Sequence, residues 1–214
     1  MNIRGYFITL IFSLYAMISS AQDISSDTTD LRPVSLGNSH FRMAIKSNLL
    51  YDLAAIPNIG MELSMGRTWS VSANWMYAWW HNDSKHRYWN TYGGDLAIRK
   101  YFGKSSRKRS FSGHHLGMYG QMLTYDFAWG GKGYQSEKWT FGGGLEYGYS
   151  FRMVKNLNLD LTLGVGYLMT EYMEYNPIDD CYVWQFTKKK DWIGPTKCEV
   201  SLVWLLWEKK GGKI

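Results

Sequence analysis

Seven charged residues of both signs stand in stretches where apolar and polar residues alternate. They are Lys46, Glu62, Asp95, Arg99, Glu146, Asp160 and Glu199. When the apolar positions are assigned to the outside of a sheet, all seven side chains point to its inner face. Buried charges must be paired, so we predict a salt-bridge network centred on Lys46 and Arg99. The alternatives are a proton or ion path and a catalytic pair of carboxylates, but a filled, narrow interior makes a poor channel.

A second group of polar residues has the types needed for hydrolysis. His81, Asp83 and Ser84 supply a base, an acid and a nucleophile, but their spacing is not diagnostic. His114 and His115 are adjacent on a predicted strand, so they point to opposite faces and form a poor metal pair. The sequence contains no zinc spacing, calcium loop or phosphate-binding loop. We therefore expect no enzymatic activity, no metal and no cofactor.

The elements that position these residues are strands with a period of two. Residues 157–169 read LNLDLTLGVGYLM and alternate without a break, over a length typical of a tilted strand crossing a bilayer. The pattern recurs and predicts eight strands, at about 42–51, 58–65, 69–80, 91–102, 114–125, 139–151, 157–169 and 197–207. Residues 170–196 are then the longest external loop. We predict an all-β fold: a closed, eight-stranded antiparallel transmembrane β-barrel.

The N-terminus has the features of a Sec signal peptide. Arg4 gives a positive start, residues 6–18 are apolar, and Ser19 and Ala21 form a small-residue cleavage site. We predict a signal peptide over 1–21, a flexible periplasmic leader over 22–41, the barrel over 42–207 and a short periplasmic tail over 208–214. The predicted location is the outer membrane.

The basic charge is concentrated in two runs. The net charge is +6, with Arg and Lys clustered at 107–109 and 188–190. Because the chain is predicted to be exported, nucleic-acid binding is excluded, and we expect these runs to lie beside the anionic head groups of lipid or lipopolysaccharide.

Two cysteines and six aromatic residues fall in the predicted external region. A disulfide between Cys181 and Cys198 would close the last loop, and the alternative is two unrelated thiols. The loop aromatics would contact a protein partner or, equally, sit as girdle residues among the head groups. They are Tyr88, Trp89, Trp129, Tyr134, Tyr182 and Trp184.

Five ordered motifs resemble one family. They are KSNLLYD at 46–52, PNIGMELSMGRTWSV at 57–71, HHLGMYG at 114–120, LNLDLTLGVGYL at 157–168 and GPTKCEVSLVWLLW at 194–207. The family is a domain of unknown function in small exported proteins of gut-type Gram-negative bacteria, and it looks like OmpA/OmpX-type outer-membrane barrels. The resemblance implies a structural or surface-interaction role, accessory to fimbria-like proteins, and it transfers no catalytic residue.

Three other functions remain open from the sequence. In a lipid-modifying outer-membrane enzyme, His81 and its neighbours would be the catalytic residues. In a small pore, ions would cross through the lumen. A soluble, lipocalin-like barrel would place its apolar side chains inward, the reverse of the charge placement predicted here.

Overall fold

The computed structural model describes residues 40–66, 68–82, 85–178 and 181–209, and over these ranges the protein is all-β. The predicted signal peptide, most of the leader and the end of the tail lie outside the described residues. The strands are β1 His40–Asn48, β2 Asn58–Met65, β3 Trp69–Asn82, β4 Arg87–Phe102, β5 Gly113–Trp129, β6 Gly133–Ser136, β7 Thr140–Val154, β8 Leu157–Ile178 and β9 Cys181–Lys209. Two one-turn helices, α1 Leu49–Leu53 and α2 Lys104–Lys108, lie in the β1–β2 and β4–β5 connections.

The strands form a closed antiparallel ring. β1 to β5 pair in chain order, β8 pairs with β9, and β1 pairs with β9 from His40 opposite Lys209 to Asn48 opposite Ser201. The short β6 and the longer β7 both pair with β5 and β8, so they share one of eight positions. This confirms the predicted all-β fold with eight antiparallel positions.

The outer face of the ring is apolar around its whole circumference. Residues directly opposite each other on paired strands share a face, and the register defines a continuous outer row of Leu206, Met43, Leu63, Val71, Ile98, Met118, Leu145 and Val165. Met118 is 68% exposed and Leu145 is 58% exposed. Most inner positions are polar or small, as the alternation predicts, and the exceptions include a buried apolar cluster with Tyr101, Val203 and Leu205.

The prediction of a long loop over 170–196 was wrong. β8 and β9 continue as a paired hairpin from Val165 opposite Pro195 to Ile178 opposite Cys181. These segments are rich in Tyr, Trp, Phe, Val and Thr, which favour strands. The two faces of this hairpin are not divided into an apolar and a polar one, so the alternation that revealed the other strands is absent here.

The hairpin belongs to a sheet that continues past the ring at the α1 end. We call this sheet the open extension. It comprises residues 77–82, 87–92, 124–129, 133–136, 170–178 and 181–196. β1 and β2 end before the open extension begins. The sheet is therefore closed in the ring and has a gap between β3 and β9 in the open extension.

Candidate functional site

Arg99 is the centre of the ring interior. Its side chain is fully buried on β4 and faces four carboxylates from four other strands. Nη1 donates to Glu62 at 3.3 Å and Asp160 at 3.4 Å, Nη2 donates to Glu199 at 3.1 Å, and Nε donates to Glu146. A guanidinium carries five donors in a planar fork, so it can join several carboxylates where a single ammonium could not.

Two lysines flank this centre. Lys46 contacts Glu62 at 3.4 Å and Glu199 at 3.7 Å, joining β1 to β2 and to β9 across the closing seam. Lys197 pairs with Glu199 at 3.2 Å and also with Asp95. Each lysine therefore connects at least two strands that do not pair with each other. Through these contacts the charges form one connected set.

We call this set the ion network: Lys46, Glu62, Asp95, Arg99, Glu146, Asp160, Lys197 and Glu199. Three cations meet five carboxylates, so neutral donors complete the hydrogen bonding of the acids. Ser70 donates to Glu62 at 2.6 Å and Tyr101 donates to the same carboxylate at 2.8 Å. His115 Nε2 lies 2.9 Å from Asp160, with the hydroxyl of Thr162 donating to that acid at 3.1 Å.

Inward glycines make room for these long side chains. A Cβ on Gly117 would lie 2.8 Å from the carbonyl oxygen of Ile98 and 2.9 Å from Glu146 Oε1. A Cβ on Gly148 would lie 2.6 Å from the ring of His115. Such distances are shorter than van der Waals contact, so the glycines on β5 and β7 are a steric requirement of the network.

The α1 segment covers the interior at one end. Asn48 accepts from the amides of Leu50 and Val200, both at 3.1 Å, and donates to the Cys198 carbonyl at 3.3 Å. Its amide therefore occupies the place of a further residue of β1 in the ladder with β9. The side chains of Trp80 and Trp89 donate to the carbonyls of residues 55 and 54 and fasten the segment from the opposite wall.

Tyr51 of α1 points toward the ion network. It borders a cavity of about 30 Å³ together with Asn58, Asn74, Asp95 and Glu199, room for a water molecule or two. Burial, followed by the negative charges of Glu199 and Asp95, raises the pKa of Tyr51 to about 12. The phenol is therefore neutral at physiological pH.

The β4–β5 connection covers the interior at the other end. Phe111 is 2% exposed and packs edge-on against Tyr101, with ring centroids 6.2 Å apart, in a cluster with Ala44, Val203 and Leu205. Asn158 donates to the Phe111 carbonyl at 2.6 Å. The position of this connection inside the ring accounts for its length.

The structure brings all seven charges singled out from the sequence into the ion network. Sequence analysis missed Lys197 and His115. Lys197 stands two residues before Glu199, so the same alternation places it on the inner face, and His115 takes the inner position beside outward-facing His114.

The predicted disulfide between Cys181 and Cys198 is wrong. Cys181 and Cys198 are both free. They lie on the same strand, β9, and a separation of 17 residues along a strand is roughly 55 Å. A disulfide needs α-carbons within about 7 Å, so these two cannot be bridged in this fold.

The aromatic residues assigned to loops lie on strands of the open extension. Trp89 is half-buried against Phe127, whereas Trp129 and Trp184 are 72% and 60% exposed. Tyr88 is half-buried on β4 and Tyr134 is exposed on β6. The side chain of Tyr182 lies outside the described residues.

The hydrolase-type residues are not assembled within the described ranges. His81 is exposed near the end of β3, and Asp83 and Ser84 lie outside the described residues. Across the described ranges, no group of three or more His, Cys, Asp or Glu side chains could hold a metal ion. No helix within those same ranges is long and apolar enough to cross a membrane.

Comparison with known proteins identifies the family. The model of the family described as "Protein of unknown function (DUF3575)" matches residues 9–206. No curated protein and no solved structure matches the chain.

Proposed function

Because the chain belongs to the DUF3575 family, whose function is unknown, we propose a role from the geometry of the ring. The protein is a non-enzymatic outer-membrane β-barrel with a sealed, polar interior. Its open extension faces the outside of the cell and makes the contacts of a structural or surface-interaction protein. Lipid and lipopolysaccharide surround the ring, and surface proteins, including fimbria-like ones, are the partners.

The observation that carries the proposal is the inverted polarity of the ring. Its apolar side chains are exposed in a continuous outer band, and its charges are buried inside. A band of this extent marks contact with a second apolar phase. Trp69 and Trp79 mark the ends of the band on β3, with Trp79 at the base of the open extension. They are ten residues apart, which corresponds to roughly 25 Å of thickness for a strand tilted by about 40°.

The filled interior supports a structural role over a pore. Arg99 and its partners occupy the middle of the ring, and the segments around Tyr51 and Phe111 cover its two ends. An ion crossing this interior would have to displace charges that are already paired and hydrogen-bonded. Discrete conductance in a planar bilayer would overturn this part of the proposal.

The first test is cold against boiled SDS electrophoresis of the isolated outer-membrane fraction. A closed ring of paired strands resists SDS until heated, so we expect a heat-dependent change in mobility. Recovery of the protein in the soluble fraction would overturn the membrane location.

A substitution on the outer band gives a sharper test. Met118→Arg places a charge at mid-height of the band and should cost about 2–4 kcal/mol in a bilayer. Gln135→Arg, on an exposed position of the open extension, is the matched control and should change stability by less than about 0.5 kcal/mol. Equal stability of the two variants in liposomes would contradict contact between the band and lipid.

A further inference from the structure

One long strand edge of the open extension has no partner among the described residues. β9 pairs with β8 from Cys181 to Trp204, but its pairing with β1 is confined to residues 201–209. The Asn48 side chain then takes the Cys198 carbonyl and the Val200 amide. Beyond that point, no described strand pairs with the second side of residues 181–195. We call this side of β9 the free edge.

The opening beside the free edge has the width of missing strands. On the far side of the opening, β3 loses its pairing with β2 after Met76, and the amide of Tyr77 bonds the carbonyl of Pro57 at 2.9 Å. Among the described residues, no strand continues the positions of β1 and β2 into the open extension, and the segment after α1 lies at the base of the opening. Two strand positions correspond to about 10 Å, which leaves room for an added strand.

The inner face beside the free edge is aromatic. Cross-strand register places one row on this face, running Trp80, Trp89, Phe127, Tyr134, Glu174 and Phe186. The next row ends at Lys188, opposite Tyr172, and Lys190 follows opposite Thr170. The free edge thus presents Phe186, Lys188 and Lys190 on its inner face, with Trp192 next along the strand.

The free edge carries a net positive charge, because Lys188, Lys189 and Lys190 are followed by a single acid, Asp191. The acids of the adjoining strand β8 are already paired, Glu171 with Lys138 at 3.1 Å and Glu174 with Lys132. Lys188, Lys189 and Lys190 are exposed, and the first lies 4.3 Å from the Phe186 ring. Lysines on an edge oppose its pairing with an identical edge, so a second copy of this chain is disfavoured, whereas an acidic strand is attracted.

We propose that the free edge of β9 binds an extended, acidic polypeptide segment by strand addition. This inference rests on the external position of the open extension given under the proposed function. Backbone amides and carbonyls within residues 181–194 supply the affinity, as in other strand-addition sites. The segment carries two acidic residues, two positions apart, facing Lys188 and Lys190, with an apolar residue on each side facing Phe186 and Trp192.

The test uses the full chain purified in detergent micelles and a fluorescent peptide of sequence TVTDTDTVT. We expect saturable binding measured by anisotropy. The same peptide N-methylated on the amides of one edge keeps its charge but cannot join a ladder, and it should bind at least about ten-fold more weakly. Scrambling the order to TTVDDVTTT removes the two-residue spacing and should also weaken binding.

Matched variants separate the inner face from overall charge. Lys188→Glu with Lys190→Glu should weaken peptide binding at least about ten-fold, whereas Lys189→Glu, which reverses a charge on the other face, should change it by less than about three-fold. All variants are first checked for the heat-dependent SDS shift, which reports an intact ring.

Each remaining outcome overturns the proposal. Absence of binding by the parent peptide, or equal binding of its N-methylated form, excludes strand addition. Binding of phosphatidylglycerol vesicles that depends on all three lysines, without peptide selectivity, assigns the run to lipid phosphates instead. These results leave the membrane proposal intact, because fractionation and the heat-dependent shift test it independently.

Discussion

The ring around Arg99 and the open extension share six strand positions but differ in how their polar groups are paired. In the ring, every strand has two neighbours, and each charge of the ion network has an oppositely charged partner. In the open extension, β9 keeps one neighbour among the described strands, with Lys188 and Lys190 on its inner face and Lys189 on the other face. The contrast indicates that closure and buried charge pairing stabilise the ring, whereas the open extension is available for recognition.

The largest effect is expected at the centre of the ring. Arg99→Met leaves Glu62, Glu146, Asp160 and Glu199 without their shared cation. The cost should be on the order of 5 kcal/mol or more, enough to abolish the heat-resistant form on SDS gels. Lys100→Met removes the same charge from the adjacent, outward position and serves as control. A stable Arg99→Met ring would show that the ion network is dispensable for closure.

The next largest effect is expected from removing the Phe111 side chain, which covers the ring interior at the end where α2 lies. Phe111→Ala empties a fully packed position and should lower the free energy of unfolding by about 3 kcal/mol in urea titrations in micelles. Phe102→Ala, at a 44% exposed position on the outer face, is the control and should cost less. Equal losses would mean that the β4–β5 connection does not pack as a structural part of the ring.

Much of the ring was predictable because apolar residues that face outward alternate with inward-facing residues along every strand in it. Lys46 and Glu199 could be placed inside from alternation alone, since neighbouring positions had to be apolar. The same rule placed Glu146 and Asp160 on the inner face. Lys197 followed the same rule but lies next to the bulge at residue 196, where the phase of β9 changes.

The remaining features could not be predicted because apolar and polar residues do not alternate in the segments that form them. In residues 170–196 neither face must be apolar, so a paired hairpin has the composition of a loop. The α1 turn depends on the Asn48 side chain capping Leu50 and completing the ladder with β9, which no local pattern reveals. The Cys181–Cys198 pairing failed for the same reason, because a loop would have brought together two thiols that a strand holds apart.

An intermediate effect is expected where the backbone approaches the ion network. Gly117→Ala would press a methyl group against the Ile98 carbonyl and Glu146, and should cost about 1–3 kcal/mol of unfolding free energy. Gly120→Ala, on the same strand but on the outer face, has its nearest contact at 4.0 Å and is the matched control. If both alanine variants unfold at the same urea concentration, the interior is less tightly packed than the geometry requires.

A smaller, pH-dependent effect is expected at Tyr51. Its folded pKa of about 12 lies above the ordinary value of 10, so the unfolded chain loses the phenolic proton first as pH rises. Stability from this group is therefore complete below pH 10 and declines between pH 10 and 12, by about 1 kcal/mol at pH 11. Tyr51→Phe should remove that decline. Parallel pH profiles of the two proteins would contradict the burial of Tyr51 beside the ion network.

The smallest effect on the ring is expected from shortening the open extension. Replacing residues 176–183 with Asn-Gly removes the tip of the β8–β9 hairpin, keeps the pairing of β6 with β8, and joins the strands through a favoured two-residue turn. The unfolding free energy should change by less than about 0.5 kcal/mol, and the heat-dependent shift should be unchanged. The edge that carries Lys188 and Lys190 is retained, so peptide binding should persist. A ring that fails to close without this tip would mean that the extension helps to align β8 with β9, and the division between a stable ring and an independent recognition sheet would have to be abandoned.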